Sequence, residues 1–171
     1  MGETALVVLL PELEPLIGHL RREHTPSGAR GMPAHATLIV PFADSEIVDA
    51  YATGVARALE PFAPFELRFR ATARFPETLY LRPEPGEPLV ALADTLAATF
   101  PSFPPYGGEF DEIVPHVTVA RGTDAILAAA EAELARPLDV TASVDRVWLF
   151  ENASTGWRRH TSFALDRRTR V

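Results

Sequence analysis

The sequence predicts an α+β domain built as two similar lobes, and three observations carry that prediction. Apolar runs with strand character alternate with stretches of helical spacing along the whole chain. A pattern of strand, helix, long strand and short strand occurs twice, from His35 to Leu81 and from His116 to Leu165, and the equal spacing of Pro64 to Phe75 and of Pro137 to Trp148 extends the match beyond its opening motif. Finally, 171 residues, 47% hydrophobic and 23% charged, suit one globular domain over residues 1–171 and not a disordered chain. A repeat of this kind is most simply two lobes about a pseudo-two-fold axis, which brings His35 and His116 to equivalent places.

Each element follows from its local pattern. Thr4 to Leu10 (TALVVLL) is a buried-strand run, and Pro11 then suits the first turn of a helix over Leu13, Leu16, Ile17 and Leu20. Glu23 to Ala34 reads as a loop. His35 to Val40 is a strand, followed by an Asp44/Ser45 N-cap and one helix through Ile47, Tyr51, Val55 and Leu59. Phe65–Phe75 and Thr78–Leu81 read as strands around the Pro76-Glu77 turn. Leu89–Phe100 has apolar residues at helical spacing, and the Pro- and Gly-rich stretch from Pro101 to Pro115 is a long loop of the kind that often carries function. A strand over His116–Arg121, a helix over Asp124–Ala135 and closing strands at Leu138–Phe150 and Arg159–Asp166 complete the chain.

Composition removes whole mechanisms. There is no Cys, so no thiol nucleophile, disulfide or Cys-ligated metal. All 16 basic residues are Arg, which leaves no Lys for a Schiff base, a P-loop or a lysyl-nucleotide intermediate. A formal net charge of −7 opposes a long nucleic-acid duplex, so any nucleic-acid partner is expected to be short. The apolar run Ala5–Leu10, flanked by Glu3 and Glu12, is too short for a signal sequence or a membrane span. A cytoplasmic, membrane-free monomer is the expectation.

The chemistry lies in two short motifs. Residues i and i+2 of a strand share a face, so His35 with Thr37, and His116 with Thr118, each set an imidazole beside a hydroxyl. Two facing copies supply two proton carriers and two hydrogen-bond donors to one tetrahedral anion: the hydroxyls hold non-bridging oxygens, one His activates a nucleophile and the other protonates the leaving oxygen. That is phosphoryl chemistry without a metal or other cofactor. A third pair, His160 with Ser162, lies where the first copy has no His and is expected to have a structural or surface role.

HATLIVPF and PHVTVAR resemble the paired H-x-T motifs of the two-histidine phosphoesterase superfamily, in particular bacterial 2′-5′ RNA ligase-like proteins and their cyclic phosphodiesterase relatives. The resemblance covers essentially the whole chain. It implies a bilobal α+β fold with antiparallel sheets, flanked by helices, around a central cleft. It also implies ATP- and metal-independent action on 2′,3′-cyclic phosphates or 2′-5′ linkages, with His35 and His116 as the acid/base pair and Thr37 and Thr118 as phosphate holders. Arg121 matches a basic position that can follow the second motif, whereas Ile39-Val40-Pro41 offers no base after the first. Tyr106 and Phe103, in the long loop, are candidates for stacking on a base or closing the cleft. A nucleotide or short RNA end is the expected substrate. The rival expectations are a non-catalytic nucleotide-binding module, against which both intact H-x-T pairs argue, and a phosphoesterase for a non-RNA cyclic phosphate. Arg158, Arg159, Arg167, Arg168 and Arg170 make the C-terminus basic, and such a run usually reads as a solvated face.

Overall fold

A computed structural model describes residues 2–167; Arg168 and Arg170 lie outside the described residues. Strand β1 (Thr4–Leu9) leads through a 3-10 turn at Pro11–Leu13 into α1 (Glu14–His24), which buries Ile17, Leu20 and Arg21. The expected loop that follows contains a short helix, α2 (Pro26–Ala29), because the Thr25 hydroxyl caps it by accepting from the Gly28 N–H at 2.9 Å and donating to the Arg21 carbonyl at 2.8 Å. Next come β2 (His35–Ile39), α3 (Ala52–Leu59), β3 (Phe65–Phe75), β4 (Thr78–Glu84) and α4 (Glu87–Thr99). β5 (Val117–Arg121), α5 (Asp124–Ala132), β6 (Val140–Val144), β7 (Arg146–Ala153) and β8 (Gly156–Ala164) close the chain. No helix among the described residues is long and apolar enough to cross a membrane.

The strands form two antiparallel four-stranded sheets, in the order β2-β1-β7-β8 and β5-β4-β3-β6. Each H-x-T strand is a sheet edge, and the two edges lie against each other. The helices exchange partners: α1, which follows β1 of the first sheet, packs on β5 of the second, and α4, which follows β4 of the second, packs on β2 of the first. One continuous apolar core, with Leu6, Leu38, Phe69, Leu81, Leu92 and Val119 at its centre, joins both sheets to these helices.

Three further elements differ from the sequence reading. The strand expected over Leu138–Phe150 is two strands in different sheets, because the chain crosses from β6 to β7 at Asp145. The repeat pairs the short strand of the first copy with the last strand of the chain, yet β4 sits beside β5 where β1 sits beside β2, and β8 is an outer edge. The structural copies therefore begin one strand before each H-x-T strand. The single helix expected from Asp44 to Leu59 is instead an Asx turn, with Asp44 Oδ1 accepting from the Glu46 N–H at 3.0 Å, followed by a 3-10 turn at Val48–Tyr51 and then α3.

Both H-x-T strands carry a bulge at the same place. Val7 pairs with Thr37 but Leu6 with Ile39, leaving Leu38 extra; Tyr80 pairs with Thr118 but Leu79 with Ala120, leaving Val119 extra. Two consecutive residues thus turn to the core, and the residue five after each His returns to the His face. That residue is Val40 in the first copy and Arg121 in the second.

Gly28 is fixed by close approach, since a Cβ there would stand 2.3 Å from the Arg21 carbonyl oxygen. Gly28→Ala is expected to cost about 1–3 kcal/mol, the usual range for overpacking, read as a lowered thermal midpoint.

Candidate active site

Alternation along β2 buries Ala36 and Leu38 and leaves His35 and Thr37 partly exposed on the opposite face; β5 does the same with Val117 and Val119 against Thr118, and His116 just precedes it. The two histidines are held identically. His35 Nδ1 donates to the Pro33 carbonyl and His116 Nδ1 to the Val114 carbonyl, both at 2.7 Å and both two residues back. That bond fixes the tautomer and leaves each Nε2 as the free nitrogen.

Beyond these bonds the surroundings diverge. His116 stands in an aromatic box: Phe75 and Tyr80 meet it edge-on at 5.1 and 5.6 Å, and Tyr106 lies nearly parallel at 6.3 Å. Phe75 and Tyr80 are themselves stacked at 4.4 Å across the β3–β4 hairpin. His35 has a cation behind it. Arg21, 1% exposed, donates from Nη1 to the Thr118 carbonyl at 2.7 Å and from Nη2 to the Met32 carbonyl at 3.2 Å, and its Nη2 is 3.5 Å from His35 Nδ1. Since Nδ1–H is already committed to Pro33, donor meets donor there, and the contact is a charge against the ring and not a hydrogen bond. One side chain on α1 therefore touches both H-x-T motifs. The neighbouring Glu14 accepts the Ala34 N–H and so pins the entry to β2.

Electrostatics follow from this packing. Burial, then Arg21 and His116, holds the His35 proton affinity down to about 3; the bond to Pro33 opposes this only in part. His116 is lowered by burial and by Arg121, with its bond to Val114 opposing. Burial also lowers Arg21, to about 10, against the pull of Glu14, so it stays a cation at neutral pH. Without an anion in the site both imidazoles are neutral there.

Tyr106 links the two motifs as well. Its phenol lies beside the Thr37 hydroxyl while its ring lies along His116, and burial raises its proton affinity, which keeps the phenol protonated. Its backbone is left-handed at φ 52°, an uncommon conformation for a residue with a side chain, held by the Pro104 to Gly108 turn. Phe103 does not join it. Its ring packs edge-on against Phe42 and Tyr51 at 5.2 and 5.3 Å, so it anchors the loop to the core. Arg121 is exposed, and its charge reaches His116, Tyr106 and Arg21.

The third His pair dissolves. A bulge in β8 turns His160 away from Ser162, and His160 bonds Asp49 at 2.6 Å while Ser162 accepts from Arg146 at 3.1 Å. Arg21, Phe75 and Tyr80 are site residues that the sequence reading missed. Arg21 alone left a trace, as a cation four residues after Ile17 on the buried stripe of α1. No group of three or more His, Cys, Asp or Glu placed to hold a metal occurs among the described residues.

Two H-x-T strands meeting edge to edge between antiparallel sheets define a two-histidine phosphoesterase fold. The model of the 2′-5′ RNA ligase superfamily matches residues 9–156, and the chain belongs to that family. Among solved structures, a Thermus thermophilus protein is similar at 22% identity, with a TM-score of 0.65, over 98% of this chain and 100% of its own. Escherichia coli LigT complexed with 3′-AMP is similar at 19% identity, with a TM-score of 0.63, over 96% of this chain and 98% of its own. The same protein with NADP+ gives 20% identity and a TM-score of 0.62, over 97% and 98%. No curated protein sequence matches the chain.

Proposed function

We propose that the protein opens 2′,3′-cyclic phosphates of nucleotides or short RNA ends, with His35 as base and His116 as acid. The observation that carries this reading is the matched pair of imidazoles, each with Nδ1 tied to a backbone carbonyl and Nε2 free. Neutral His35 takes a proton from water, the water oxygen bonds to phosphorus, one ribose oxygen leaves, and protonated His116 supplies its proton. Thr37 and Thr118 donate to the non-bridging oxygens, and the resulting phosphomonoester carries the charge. The assignment of roles rests on Arg21: a buried cation behind His35 suits the ring that must be neutral when it acts. A bound phosphate anion favours protonation of both rings, and His116, with no cation in direct contact, is the ring it recruits.

The test is turnover of the four 2′,3′-cyclic mononucleotides in EDTA, with the position of the product phosphate read out. Turnover is expected to be insensitive to the chelator; loss in EDTA with recovery on zinc or manganese would replace this mechanism by a metal-assisted one. The productive state of the free protein has one proton on the pair. Because both rings are lowered from 6.5, kcat/KM is expected to be bell-shaped with its centre on the acid side of pH 6.5. It rises as the base loses its proton and falls as the acid loses its own, and the constants belong to the pair. The kcat profile, which reports the bound complex, should lie at higher pH because the phosphate anion stabilises both imidazolium forms.

A further inference from the structure

The face of the first sheet that carries His35 and Thr37 continues away from them as a row across three strands. Val7 of β1 pairs with Thr37 on one side and with Trp148 of β7 on the other, so Thr37, Val7 and Trp148 lie in line on one face. At about 4.8 Å between strands, Trp148 sits about 10 Å from Thr37. The guanidinium carbon of Arg159, from β8, stands over the Trp148 ring, 4.9 Å from its centre. Arg158 next to it is paired with Glu151 at 2.9 Å, whereas among the described residues no carboxylate pairs with Arg159. This Arg is thus not simply part of the solvated basic run expected from the sequence. Arg159 lines two cavities, of about 520 and 330 Å³, which also share Leu9 and Pro11 in their walls. Leu9 in turn is the β1 residue opposite His35.

We infer that Arg159, backed by Trp148, is the binding site for a second nucleoside, the one on the 5′ side of the nucleotide that carries the reacting phosphate. The inference rests on the proposed phosphoesterase reading. A guanidinium plane backed by an indole offers a base a flat, cationic stacking surface, and a base has a π-face whatever its sequence. The offset of about 10 Å suits the base of a neighbouring nucleotide better than the phosphate held by Thr37. The free charge of Arg159 also faces the phosphodiester that joins the two nucleosides. Beyond it the wall of the larger cavity carries Glu12 and Glu66, with Asp145 paired to Arg146 at 3.3 Å. These admit an uncharged base and ribose but oppose a further phosphate, which makes the preferred substrate a dinucleotide-length end and accords with the acidic chain.

The test compares binding of 3′-AMP with that of the dinucleotide ApA bearing a 3′-phosphate, by calorimetry at fixed salt, in the wild type and in Arg159→Ala and Trp148→Ala. The wild type is expected to bind the dinucleotide at least tenfold more tightly, and the advantage should fall to within about twofold in Arg159→Ala. Trp148→Ala should fall between them, because the guanidinium keeps its charge but loses its backing. If the mononucleotide binds and the dinucleotide gains nothing, or if its advantage survives in Arg159→Ala, the second subsite is wrong and the phosphoesterase reading stands. If neither ligand binds at millimolar concentration, both fall. Arg159 is exposed, so its removal leaves the core intact, and an unchanged circular dichroism spectrum confirms that any loss is local.

Discussion

Alanine at His35 or His116 is expected to lower kcat on a 2′,3′-cyclic nucleotide by about 10²–10⁴-fold with the fold retained, the range for a lost general acid or base. The structure indicates why folding survives. Each imidazole makes its one hydrogen bond to a carbonyl two residues back, and neither ring belongs to the fully buried core. The two variants should still differ in stability. His116→Ala empties a box formed by Phe75, Tyr80 and Tyr106, whereas His35→Ala relieves a ring of the Arg21 charge. His116→Ala should therefore melt lower. Wild-type turnover in either variant would reject the acid/base assignment, and urea midpoints measured alongside separate lost chemistry from lost structure.

The second large effect is expected at Arg21. Arg21→Met keeps the length and apolar stem but removes the charge and all five donors, leaving the buried carbonyls of Thr118 and Met32 without their partner. Each such orphan costs about 1–3 kcal/mol, so the variant should lose a large part of a typical domain's stability. The more specific readout is pH. With the cation gone, one of the causes that lower His35 disappears while burial, the largest, remains. The His35 proton affinity should then rise part of the way towards 6.5, moving the acid limb of kcat/KM to higher pH and narrowing the bell from that side. Arg21→Lys restores a charge without the fork of donors and should recover the limb more than the stability. An acid limb that stays in place in Arg21→Met would show that Arg21 is only a structural brace. The imidazole titration of His35, followed by NMR, measures the same shift without turnover.

Much of this site could be read from the chain because a strand has a period of two. His35-x-Thr37 and His116-x-Thr118 announce a shared face without any knowledge of the fold, and the apolar pairs Leu38-Ile39 and Val119-Ala120 are the visible trace of the two bulges. Alternation does not say which sheet a strand joins. Val140–Val144 and Arg146–Ala153 therefore look like one strand, although Asp145 carries the chain from one sheet to the other. Arg21 and Tyr80 were hidden for a different reason. Their roles come from partners 97 residues away for Arg21 and Thr118, and from the β4–β5 pairing for Tyr80 and His116, and no local pattern encodes such meetings. Phe103 and Tyr106 look alike in sequence; only the left-handed turn at Tyr106 sends one ring to the core and the other to the histidines.

The exchange of α1 and α4 between the sheets amounts to a domain swap carried out inside one chain. Each half lends its first helix to cover the other's sheet, so neither half owns a complete interior. A chain cut at the Pro76-Glu77 turn should give two fragments that are unfolded apart and regain structure, and turnover, only when mixed. The same interlock ties catalytic geometry to global stability. Substitutions that loosen the core anywhere along α1 or α4 should therefore lower kcat before they lower the melting temperature by much, since the two imidazoles are registered by that packing together with the Arg21 bridge from α1.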